Sequence, residues 1–170
     1  MNIVIMVLLA FVLDLLIGDP HPWPHPVKAI GRLIAVLTKK FNKPEYSRKK
    51  RKYLGVATWL ITVGGTGLVA YVVMQLAMFN YYLYMIVGTY LSYTCLSARQ
   101  LAIEAEKIMK SLKQGNLKKA RYQVGMIVGR DTENLSAEEV TKATIETVAE
   151  NTSDGVVAPL LFLIIGGPVL

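Results

Sequence analysis

Residues 53–98, YLGVATWLITVGGTGLVAYVVMQLAMFNYYLYMIVGTYLSYTCLSA, contain no Asp, Glu, Lys or Arg. Coiled as one helix at about 1.5 Å per residue, these 46 residues would reach roughly 69 Å, more than twice a hydrocarbon core of about 30 Å. The stretch must therefore fold back on itself. Asn80-Tyr81-Tyr82 marks the place, because Asn favours turns and Tyr favours the membrane interface. Spans are expected near 55–78 and 82–98. This reading makes the chain all-α, a polytopic helical membrane protein, and 170 residues with 53% hydrophobic side chains leave room for a single domain.

Working outward, residues 2–17 carry only Asp14 as a charge and lack both a basic leader and a small-residue cleavage site, so they read as a retained first span. Residues 155–170 are again charge-free but short, and Pro159, Gly166, Gly167 and Pro168 interrupt them; they read as the start of another span. Between residues 28 and 52 ten Lys or Arg oppose Glu45 alone, whereas residues 99–154 hold nine basic and nine acidic side chains. The positive-inside rule then places segment 18–52 in the cytoplasm, and segment 99–154 returns to the same side two spans later. The basic run 48–52 is a topology signal beside a span; the expected partner is a lipid bilayer and no nucleic acid. A lone Cys95 excludes a disulfide framework.

The charged segments have helical period. Leu101, Ala105, Ile108 and Leu112 form an apolar stripe that Gly115-Asn116 closes, a second helix covers 117–128 and ends at Gly129, and Ser136-Ala-Glu-Glu139 has the spacing of a capping box. These are expected to be cytoplasmic amphipathic helices. Residues 41–47 read as a loop.

Three constellations carry chemistry. Glu146, Glu150 and Asp154 recur every four residues, opposite Val140, Thr144, Ile145, Val148 and Ala149. Like charges at that spacing cost a helix about 0.2 to 0.5 kcal/mol per pair. Two readings stand: a solvated face with Lys142 beside Glu146, or a site for magnesium or a substrate amine, with Asn151 orienting the ligand. Gly129-Arg130-Asp131-Thr132 is either a phosphate-binding turn or an ordinary helix end in which Gly129 caps and Asp131 turns the chain. In the third, Asp14 precedes Gly18-Asp19 and four prolines between 20 and 26, which fix an extended exit from the first span. An acid inside a span faces a partner or an aqueous cavity, and Arg32 and Arg130 are the candidate partners. His21 and His25 form only a weak metal pair, with no third ligand in the loop. Gly64-Gly-Thr-Gly67 lies in an apolar helix and reads as a close helix contact.

The pattern Asp14-x3-Gly18-Asp19-Pro20, followed by His25-Pro26 and Gly31, together with residues 129–159, resembles the cobalamin-biosynthesis family CobD/CbiB, adenosylcobinamide-phosphate synthase. The resemblance runs over essentially the whole chain. It implies a multi-pass cell-membrane enzyme, active on its cytoplasmic side, that forms an amide. The propionate carboxyl of adenosylcobyric acid would be joined to the amine of aminopropanol phosphate or a related amino alcohol, with ATP and Mg2+. Carried onto this chain, Glu146, Glu150 and Asp154 would be metal- or amine-binding acids, Arg130 a phosphate clamp beside Thr132, and Asp131 a base or second metal ligand. Asp14, Asp19, His25 and Asn151 would contact substrate. Family members are nearly twice this length and carry an Asn-Thr-Leu-Asp segment that is absent here. The chain is therefore expected to be an N-terminal portion, completed by a C-terminal half, a partner chain or a second copy.

Two other functions compete. A transporter or membrane scaffold would concentrate ionisable groups within the spans, yet only Asp14 lies there. A magnesium-dependent membrane phosphotransferase would use the same acidic stripe. The clustering of polar residues on the cytoplasmic side favours an enzyme at the membrane surface.

Overall fold

The computed structural model describes residues 2–19 and 25–169. They are all-helical, without a strand: α1 (Asn2–Ile17), α2 (Pro26–Phe41), α3 (Arg48–Ala77), α4 (Tyr81–Tyr93), α5 (Ala98–Lys113), α6 (Leu117–Gly125), α7 (Ala137–Thr152) and α8 (Ala158–Gly166). A π-helical turn, Ser153–Val157, joins α7 to α8, and a 3-10 turn, Gly167–Val169, follows α8. The chain doubles back where Asn80 predicts it: the Asn80 carboxamide oxygen accepts the amides of Tyr82 (2.9 Å) and Leu83 (3.1 Å) and starts α4.

Two helices are long and apolar enough to cross a membrane, α3 and the continuous run Ala137–Val169; α1 is apolar but shorter. The span expected at 82–98 is corrected. α4 has 13 residues, about 20 Å at 1.5 Å per residue, and stops at Tyr93. The cause is tertiary. The amide of Ser97 is taken by the Gly155 carbonyl (3.2 Å), and those of Ala98 and Arg99 by the Asp14 carboxylate (2.9 and 3.4 Å), so these donors are not available to prolong α4.

Residues 26–52 also contain helix that the sequence reading did not assign. Residues 26–41 form α2, with Pro26 in the first turn and the His25 ring as its N-cap. Its apolar residues Ile30 and Leu33 line a cavity together with Gly65 and Thr66 of α3. A Cβ on Gly64 or Gly65 would meet nothing within 4 Å, and one on Gly67 only the Val169 carbonyl at 3.8 Å, so the close helix contact expected of the glycine-rich stretch is not made there. The basic run 48–52 is the opening of α3, capped by the Ser47 hydroxyl on the Lys50 amide (3.3 Å).

Two cores result. One is small and joins α1, α4 and α8 through Val7, Ala10, Tyr93, Leu96 and Leu163. Here α1 and α4 approach so closely that a Cβ on Gly88 would lie 2.3 Å from the Met6 sulfur. The other joins α5, α6 and α7 through Ile108, Ala120, Val124, Val140 and Ala143, all fully buried. The predicted capping box of α7 is present, with Ser136 N–H on Glu139 Oε2 (2.7 Å) and Glu139 N–H on Ser136 Oγ (3.2 Å). The helix expected to reach residue 128 ends at Gly125, where Thr132 packs and donates its hydroxyl to the Arg121 carbonyl (2.9 Å). The buried side of α7 is Val140, Ala143, Thr144 and Thr147, while Ile145 and Ala149, expected there, are exposed.

Candidate functional site

The site is assembled where α1 ends, α4 passes into α5, and α7 passes into α8. Asp14 is 1% exposed, and its carboxylate caps α5 from another helix. Ser97, the residue at the N-cap position of α5, makes no side-chain cap of its own. The partner of Asp14 is therefore a helix N-terminus, whose amides and dipole favour an anion, in place of the expected Arg32 or Arg130. Four residues on, Gly18 turns the chain with φ +69°, and a Cβ there would approach Arg99 Cγ to 2.9 Å. The Tyr93 hydroxyl donates to the Gly18 carbonyl and ties the same turn to the end of α4. The turn that leads into Asp19 is thus tied both to the end of α4 and to the start of α5.

The third wall is the π-helical turn that contains Asp154 and Gly155. Pro159 has no N–H, so in an α-helix the carbonyl of Gly155 would lose its acceptor role four residues earlier. Instead that carbonyl accepts both the amide (3.2 Å) and the hydroxyl (3.3 Å) of Ser97. Gly155 is required by the approach, since a Cβ would sit 2.5 Å from Ser97 Oγ. This explains why Pro159 does not break the helix, as expected for a separate span, and why the turn widens here: π-turns recur at functional sites. Asp154 follows the turn out of the regular four-residue stripe.

Asp19 and His25 are brought together across the segment between them. His25 Nδ1 accepts the Val27 amide (3.3 Å), which leaves Nε2 as the protonated nitrogen of the neutral ring, and Nε2 lies 3.8 Å from Asp19 Oδ1. That oxygen is buried with no hydrogen bond. His21, and the prolines at 20, 22 and 24, lie outside the described residues.

The remaining sequence-predicted residues stand on α7 and the turn before it. Glu146 bonds Arg130 (3.1 Å) and lies 3.8 Å from Lys142, so its surroundings are those of a solvated ion-pair face. Asp131 Oδ1 accepts the Glu133 amide (3.0 Å) and shapes the turn. Thr132 is buried with its hydroxyl engaged as described, Glu150 and Asp154 are exposed, and Asn151 is half-buried. Gly129 lies past the end of α6 and is not among the glycines with positive φ. No group of three or more His, Cys, Asp or Glu gathers for a metal among the described residues. Glu146, Glu150 and Asp154 thus do not form a metal cage by themselves.

Sequence reasoning missed Tyr93, Ser97, Arg99 and Gly155. Ser97 precedes a helical stripe and looks like a cap; that the cap comes from Asp14, 84 residues away, has no local signature.

A model of the CobD/CbiB protein family matches residues 7–170. The chain is 54% identical over 162 residues to the cobalamin biosynthesis protein CobD of Listeria monocytogenes serotype 4b, covering 95% of this chain and 51% of that protein. It is 49% identical over 168 residues to CobD of Streptococcus sanguinis, at 98% and 52% coverage, and 40% identical over 163 residues to the cobalamin biosynthesis protein CbiB of Salmonella arizonae, at 95% and 51%. The chain spans about half the length of the curated relatives it matches. No solved structure matches it.

Proposed function

The chain belongs to the CobD/CbiB family, and on that premise we propose that it serves cobalamin biosynthesis as an amide-forming enzyme of the cell membrane, an adenosylcobinamide-phosphate synthase. The observation that supports this reading is the convergence of Asp19, the Ser97–Gly155 contact and the Asp154 turn at one end of the apolar helices. The same end leads into the α5–α7 unit, which we take as cytoplasmic.

The proposed reaction joins adenosylcobyric acid to aminopropanol phosphate or a related amino alcohol. A carboxylate does not acylate an amine unaided. In the simplest scheme a carboxylate oxygen attacks the terminal phosphoryl group of ATP and ADP leaves. The amine nitrogen then attacks the acyl carbon, phosphate leaves, and the nitrogen gives its proton to a base. Asp19 and Asp154 are the acids best placed near the junction to hold the ammonium and take that proton. Asp131, Glu146, Glu150 and Asn151 stand on α7 and the turn before it, and a phosphate-clamping role for Arg130 beside Thr132 requires the Arg130–Glu146 pair to open. Mg2+ would enter only as the companion of the ATP phosphates, because among the described residues these acids do not converge on one point. In this reading the part of the relatives' length that the chain does not span carries further site residues.

The test is to incubate membranes carrying the chain, alone and with a C-terminal half, with adenosylcobyric acid, aminopropanol phosphate, ATP and Mg2+, and to look for the amide by mass. Product in either preparation, lost in Asp19→Asn and Asp154→Asn, is expected. Absence of amide with every amino alcohol tried sinks the synthase assignment.

A further inference from the structure

A cleft of about 440 Å³ opens between α2 and α4, lined by His25, Pro26, Lys28, Ala29, Arg32 and Tyr90. We infer that this cleft binds a phosphate-bearing ligand through Lys28 and Arg32. The two cations sit one helical turn apart on α2, so they project along one face toward the same volume. Lys28 lies in the first turn, where the helix dipole is positive and no acidic residue offsets it; the Val27 and Lys28 amides are already taken up by His25, so the attraction there comes from the dipole and the side chains. Among the described residues Arg32 has no carboxylate partner, and the nearby acid, Asp19, faces His25 instead. An anion in the cleft would meet two side-chain cations and the positive end of a 16-residue helix at once. A dianionic phosphate suits this better than a carboxylate, since a guanidinium offers two parallel donors and a lysine a mobile point charge.

The inference extends the function proposed above, for the cleft opens beside Asp19 and His25, and it shifts the anion-binding role from the Arg130 turn to α2. Two sources share the chemistry, a soluble phosphate ester and a phospholipid headgroup.

The test is direct binding, so that it stands apart from turnover. Inorganic pyrophosphate is titrated calorimetrically into the chain in nanodiscs of phosphatidylcholine and in nanodiscs containing phosphatidylglycerol. Saturable binding is expected in the first, weakened at least tenfold in K28Q/R32Q and unchanged in K39Q/K40Q, which alters the same helix away from the cleft. Thermal melts show whether each variant is folded, and R32K, which keeps the charge, should retain part of the affinity. Pyrophosphate binding that persists in phosphatidylglycerol discs assigns the cleft to a soluble ester; suppression there assigns it to a lipid headgroup. Equal binding by wild type and a folded K28Q/R32Q overturns the inference, as does equal weakening by K39Q/K40Q, which would mean diffuse charge. Loss of the amide-forming reading with pyrophosphate binding intact leaves the cleft standing.

Discussion

The two cores are built on opposite terms. In α5–α7 the apolar side chains turn inward and Ile108, Ala120, Val124, Val140 and Ala143 lose all contact with solvent, as in a water-soluble domain. In the bundle of α1, α3, α4 and α8 the large side chains turn outward: Leu8, Leu16, Trp59, Leu68, Leu76 and Ile165 are all exposed, around a core of five residues. The first arrangement is stabilised by expelling water. The second leaves large apolar side chains facing outward on helices of which α3 and the run Ala137–Val169 are long and apolar enough to cross a membrane; in lipid such a bundle is held by small residues and polar ties between helices. The site lies on the seam, and its contacts are backbone and short polar groups because neither packing regime extends across it.

The largest effect should separate the two regimes. Ile108→Ala removes a fully buried side chain from the α5–α7 core and should cost about 2 to 5 kcal/mol, seen as early thermal unfolding and proteolysis of that unit in nanodiscs. Leu68→Ala, at a side chain 63% exposed, should stay within about 0.5 kcal/mol. Similar losses at both positions would break the contrast. Next comes the seam itself. Gly155→Ala drives a methyl group against Ser97 Oγ, and overpacking of this kind costs about 1 to 3 kcal/mol. Activity in the amide assay should fall at least tenfold, and the double change Gly155→Ala with Ser97→Ala should recover part of the stability, because the clashing oxygen is then gone.

How much of this was legible follows from the range of each interaction. The Asn80 turn, the Ser136–Glu139 box and the stripe ending at Gly115 are local, fixed by residues within a few positions, and each appears in the structure as read. The polar Asp19 and His25 were picked out and do meet. Readings that needed a distant partner went astray. Absence of charge over 53–98 shows where a helix can lie in lipid, yet the end of α4 is decided by Asp14 and Gly155. Four-residue spacing put Asp154 on a stripe with Glu146, but a π-turn held by Ser97 changes the register. α2 was obscured because prolines dominate the sequence before it, although Pro26 at a first helical turn initiates a helix.

A smaller effect sharpens the seam. Asp14→Ala leaves the first amides of α5 without an acceptor and should cost about 0.5 to 2 kcal/mol, the range for a lost cap. Asp14→Asn keeps an acceptor oxygen and should lose less, read as the thermal midpoint in nanodiscs. Should Asp14→Asn abolish activity while the midpoint holds, the carboxylate charge acts on substrate as well as on the helix.

The smallest effect lies wholly within the water-facing unit and depends on pH. The backbone amide of Ser136 holds the Glu139 carboxyl below the ordinary carboxylate range, with a further contribution from the Ser136 hydroxyl. The folded value is thus lower than the unfolded one. The contribution to stability is complete above the ordinary carboxylate range and disappears as pH falls through that range to the lowered folded value. Glu139→Gln keeps an oxygen for the Ser136 amide but does not titrate, so the variant should be somewhat less stable than wild type at neutral pH. The gap should close on acidification. Thermal midpoints of α5–α7 between neutral and acidic pH measure it, and a gap independent of pH would mean that the capping box acts through geometry alone. Because Glu139 is exposed, solvent screening keeps this effect below that of the Asp14 cap, whose acceptor lies buried between helices.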